Sequence, residues 1–143
     1  MRKTALALLS LLALAGCSHP APPAGRWEGI YESSDVTIAA RLEIEADGQV
    51  RVSAPDLLDI APGDRDAARE KLGSDLDTAW DSVVPRPMDF DGETFRKPGG
   101  IAPQMVWKAK SRQMSLIVYL GTRPAIRIAM REVGDFSENP FGS

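Results

Sequence analysis

The side chains able to do chemistry are few in this chain. A single cysteine, Cys17, excludes an internal disulfide and any cysteine-based zinc site. A single histidine, His19, excludes histidine-paired metal centres and argues against a Ser-His-Asp triad. Carboxylates are plentiful: Asp64 and Asp66 stand together, followed by Asp75, Asp77 and Asp81. Asp77 and Asp81 are four residues apart and so neighbours on one helix face. Calcium sites are built from such oxygens, but no Asp-x-Asp-x-Asp-Gly loop is present, and a solvated helix face accounts for these residues. Nor is there a glycine-rich phosphate loop, a Gly-x-Ser-x-Gly elbow or a His-Glu-x-x-His helix. The inventory points to a protein that is not an enzyme, with no catalytic residue, metal or cofactor, and with no nucleic-acid partner.

Charge is more informative than any one residue. Residues 17–93 hold 17 acidic against 7 basic side chains, a balance of −10. Residues 94–143 hold 3 against 8, a balance of +5, and no acid falls between Arg96 and Arg131. Strand alternation places Lys108, Lys110, Arg123, Arg127 and Arg131 on the polar face of adjacent hairpins. Such a face suits anionic lipid headgroups, an acidic partner or an anionic ligand. The simpler alternative is that it neutralises the acidic first half of the same domain.

The N-terminus has a basic start, Met1-Arg2-Lys3, then Thr4 and an uncharged apolar run from Ala5 to Ala15, too short for a stable membrane span. It ends in Leu14-Ala15-Gly16-Cys17. This layout resembles the signal peptide and lipobox of bacterial lipoproteins. The resemblance implies cleavage after Gly16, a diacylglyceryl group on the Cys17 sulfur and a further acyl chain on the new N-terminus, several chains anchoring far more firmly than one. Ser18, rather than an Asp, follows the cysteine. In a Gram-negative host the resemblance then implies the outer membrane, with the protein facing the periplasm.

The elements that follow give the domain plan. The resemblance implies a signal peptide over residues 1–16 and a lipidated cysteine with a proline-rich tether over residues 17–25. The eight tether residues Ser18 to Gly25 reach roughly 25 Å as polyproline II. Residues 26–133 form one domain and residues 134–143 a polar, loose tail. Strands are expected at Trp27–Ser33, Val36–Ala46, Gln49–Ser53, Gln104–Lys110, Gln113–Leu120 and Arg123–Arg131, with a small hairpin over Phe90–Phe95. Val36, Ile38, Ala40, Leu42 and Ile44 share one face, and Thr37, Arg41, Glu43 and Glu45 the other. Asp47-Gly48 and Gly121-Thr122 read as tight turns. Asp64 is placed to cap a helix whose Leu72, Leu76, Ala79, Trp80 and Val83 form one apolar stripe, ended by Pro85-Arg86-Pro87. The expected class is α+β and β-rich: an antiparallel sheet or partly open barrel of about seven strands with one amphipathic helix inserted mid-chain.

Gly25-Arg26-Trp27, at the head of the first strand, resembles the Gly-x-Trp of lipocalins and related calycin barrels. The resemblance implies a ligand cup with a basic residue, Arg127 or Arg131, packed over the tryptophan by cation–π contact. The mid-chain helix and the short chain depart from that family. The leading expectation is a membrane-anchored, non-catalytic binding or adaptor module of the envelope. The alternative is a lipocalin-like carrier of a small hydrophobic or anionic ligand.

Overall fold

A computed structural model of the chain describes residues 19–142. Its elements are β1 (Gly25–Glu32), β2 (Val36–Ile44), β3 (Val50–Ser53), β4 (Asp56–Leu58), α1 (Arg65–Asp81), β5 (Asp89–Phe90), β6 (Thr94–Arg96), β7 (Pro103–Lys108), β8 (Gln113–Val118) and β9 (Ile126–Val133). All pairings are antiparallel, in the order β3-β2-β1-β9-β8-β7-β6-β5, with β4 also on β2. The sheet curls into an open half-barrel with one helix outside it, which is the β-rich class the sequence predicts.

The concave face carries the main core. Trp27, Ile38, Leu42, Ile44, Phe95, Met105, Met114 and Ile128 are all at most 2% exposed. They come from alternate positions of six strands, as a one-sided pleat requires. Trp27 meets Trp107 edge to face at 6.1 Å, and Arg112 lies over Trp107 while pairing with Glu132 at 3.0 Å. These four side chains gather at the end of the half-barrel where β1 begins. Gly29 is required where β1 meets β9, because a Cβ there would lie 2.7 Å from the Ala129 carbonyl and 2.8 Å from the Met130 sulfur.

The convex face is covered chiefly over β2, with α1 also touching β3 and β4 and the tail reaching β1. Helix α1 packs Leu72 and Leu76 on Ala39, with Ala68 and Trp80 also buried. Consequently Thr37 and Arg41, on the face opposite the apolar one, are buried as well, together with Ala39. Asp64 starts the helix, but its side chain makes no capping hydrogen bond. Arg65 and Arg69 instead tie the first turn to β1: Arg69 pairs with Glu32 through two bonds of 2.5 and 2.7 Å, and Arg65 donates to the Ser33 carbonyl. The tail also departs from expectation. Phe136 packs edge to face on Trp80 at 4.9 Å, and Phe141 joins the Leu72–Leu76 cluster.

After α1 the chain returns through Pro85-Arg86-Pro87, and Arg86 exchanges two backbone hydrogen bonds with Val50, of 2.8 and 2.9 Å. This bridge joins the β3 edge to the segment that enters β5. Beyond it the edges separate.

Candidate functional site

The separation leaves a cleft of about 730 Å³ opening into the half-barrel. One wall is Val50 and Val52 of β3 with Ala54; the other is Met105 of β7 with Leu116 and Val118 of β8. The returning segment contributes Val83, Val84, Arg86 and Met88, and the β6–β7 loop contributes Lys97 and Pro98. Each wall follows from alternation, since these residues belong to the apolar parity of their strands or pack against the core. Tyr119 stands at the mouth and donates its hydroxyl to the Pro103 carbonyl at 2.7 Å. No aspartate or glutamate lines the cleft, while Arg86 and Lys97 do. Its size falls in the range of small-molecule sites, and its walls are apolar with a few polar groups, as in such sites.

A second feature lies on the convex face. Glu28 of β1 is 2% exposed, yet it is fully engaged. One oxygen accepts from Arg131 at 2.6 Å and from the Ser137 hydroxyl at 2.5 Å; the other accepts from the Ser137 backbone N–H at 3.0 Å. Burial pushes the Glu28 carboxyl up, but the Ser137 and Arg131 bonds outweigh it and hold the group below the usual carboxylate range. Beside it, Arg41 donates to Asp77 at 2.6 Å and to the Ser137 carbonyl at 2.8 Å. This network fastens the tail; it leaves no opening for a substrate.

The five basic residues are not gathered into one patch. Lys108 ends β7, while Lys110 sits in the following turn rather than on a strand. Arg123 is also off the strand: β9 begins at Ile126, because Pro124 has no N–H to give to a ladder. The turn expected at Gly121-Thr122 is accordingly a longer connection over residues 119–125. Arg123 reaches across to Asp35 at 3.1 Å and to Asp59, and Arg131 is held by Glu28. Among the described residues, Lys108, Lys110 and Arg127 have no carboxylate within ion-pair distance. Internal neutralisation therefore accounts for two of the five.

The cation over the barrel tryptophan is also placed differently. Arg127 and Arg131 project from the outer side of β9, opposite in parity to Ile128 and Met130, so neither covers Trp27. Arg112 takes a comparable position over Trp107. Asp77 and Asp75 are occupied by Arg41 and Lys71, and no group of three potential metal ligands occurs among the described residues. Cys17 and the cleavage residues Leu14, Ala15 and Gly16 lie outside the described residues.

The cleft was not legible as a site. Val50 and Val52 lie in what reads only as the strand Gln49–Ser53, and Arg86 reads only as part of a helix stop. No protein-family model, curated protein or solved structure matches the chain.

Proposed function

We propose that this chain is a lipid-anchored, non-catalytic binding module of the bacterial envelope that holds a small ligand in the cleft of its half-barrel. The observation that carries the reading is the cleft itself: about 730 Å³ bounded by Val52, Val118 and Met105 rather than filled by side chains. A pure adaptor needs an exposed patch over a filled interior. The lipobox-like Leu14-Ala15-Gly16-Cys17 supports the anchor, and Ser18 supports an outer-membrane, periplasm-facing location. The Pro20–Pro22 stretch lies beside the Gly48 and Gly92 turns, which suits an anchor extending from that end of the half-barrel.

The protein is purified from envelope membranes and its retained small molecules are identified by native mass spectrometry. An apolar adduct on the wild type, lost in Ala54→Trp where the indole fills the cleft, is the expected result. Equal adducts in both, or none in either with only proteins co-purifying, overturn the ligand reading. Cys17→Ser is expected to move the protein from the membrane pellet to the soluble fraction. Retention after a high-salt wash would exclude lipidation as the anchor.

The exposed Lys108, Lys110 and Arg127 favour a second, compatible reading, in which the outer face meets an anionic lipid surface or acidic envelope protein.

A further inference from the structure

We propose that the cleft selects a single-chain amphiphile with an anionic headgroup, an inference that rests on the ligand-binding reading above. Two observations combine. The walls that face one another, Val52 and Ala54 against Leu116 and Val118, are apolar and continue to the core, which suits an alkyl chain. At the rim stand Arg86 and Lys97, exposed and without a carboxylate in ion-pair distance among the described residues, in a lining that contains no acid at all. In a domain whose residues 17–93 carry a balance of −10, an acid-free site with two cations is a local reversal of charge.

The division of labour follows. Burying the chain supplies affinity that grows with each methylene. The planar Arg86 guanidinium can grip a carboxylate or phosphate through two donors, and Lys97 adds a mobile point charge. Both sit beside apolar surface, where an ionic contact is less weakened than in open water. A cationic amphiphile gains the chain term but meets two like charges. A neutral one gains only the chain term. Arg86 is also held by its backbone to Val50, so its side chain starts from a fixed point on the cleft wall.

The test uses the full chain carrying Cys17→Ser, so that no attached acyl chain competes. Calorimetric titrations with dodecanoate, dodecyl phosphate and dodecanol separate the two anionic headgroups from a neutral one. Both anions, or one of them, are expected to bind at least tenfold more tightly than dodecanol. Decanoate is expected to bind about fifteenfold more weakly than dodecanoate, two methylenes at ~0.8 kcal/mol each. The pair Arg86→Gln and Lys97→Gln, both at exposed positions, is expected to remove the headgroup preference while leaving dodecanol binding in place. Circular dichroism checks that the fold is kept. Dodecanol binding as well as the anions, or a preference that survives the double substitution, overturns the anionic assignment and leaves the binding module standing. If none of the three ligands binds, or if all bind equally to Val52→Trp, both readings fall.

Discussion

Glu28 shows how one residue can hold two distant parts of the chain together. It sits on β1, pairs with Arg131 of β9 and receives both the N–H and the hydroxyl of Ser137. Because its folded-state carboxyl is held below the ordinary value, the unfolded chain binds the proton more readily. The stabilisation is therefore complete above the unfolded glutamate range and is lost as pH falls through the lower, folded value. Glu28→Gln is expected to cost about 1.5–3 kcal/mol near neutrality, as for hydrogen bonds to a charged group. Its stability should also fall less steeply on acidification than that of the wild type. Parallel stability–pH curves from urea unfolding would show that Glu28 contributes no such linkage.

At the scale of elements, the helix and tail act as one cover. Trp80 is 8% exposed, with Phe136 against its edge and the Arg51 guanidinium 4.3 Å from its ring centre. Trp80→Ala is expected to cost roughly 3–5 kcal/mol and to accelerate hydrogen exchange at the Ser137 amide. A loss below about 1 kcal/mol, typical of an exposed site, would show that the cover is not held there. Gly29→Ala should destabilise by about 1–3 kcal/mol, since the Ala129 carbonyl in its path is backbone and has little room to move; unchanged thermal unfolding would contradict that crowding. Much of this layer was legible from sequence. The Val36–Ile44 alternation gives β2 and its inward face, Asp47-Gly48 gives the first hairpin, and Leu72, Leu76 and Trp80 give the buried stripe of α1. What was not legible depends on partners distant in sequence. Thr37 and Arg41 have the polar pattern of a solvated face, and only the arrival of α1 and Ser137 buries them. The three-residue β4 is too short to show a period, and the cleft exists because two edges stop pairing, which no local pattern records.

For the whole molecule, the contrast between an acidic first half and a basic second half resolves into two behaviours. Arg123 and Arg131 are paired within the chain, with Asp35, Asp59 and Glu28. Lys108, Lys110 and Arg127 remain turned to solvent on the outer face, as do Arg86 and Lys97 at the cleft. Lys108→Glu, Lys110→Glu and Arg127→Glu together should abolish binding of the unlipidated protein to anionic vesicles while leaving its thermal unfolding nearly unchanged. Binding to the same vesicles should also weaken steeply with salt, because exposed charges are screened beyond about 10 Å at ~0.1 M. Arg123→Glu should behave in the opposite way, lowering stability before it changes binding. Vesicle binding indifferent to salt and to the triple reversal would remove the outer face as a membrane contact.

The pairing of β1 with β9, which sets Arg26 opposite Val133, also governs timing. The first strand of the domain cannot find its second neighbour until β9 has been made, so every route to the complete sheet waits for residues 126–133. Folding dominated by such non-local contacts is slow, on the order of milliseconds to seconds. Under the export proposed from the signal-like N-terminus, that delay keeps the chain threadable. A chain truncated before Ile126 should lack cooperative unfolding, and stopped-flow refolding of the intact chain should not reach the microsecond regime.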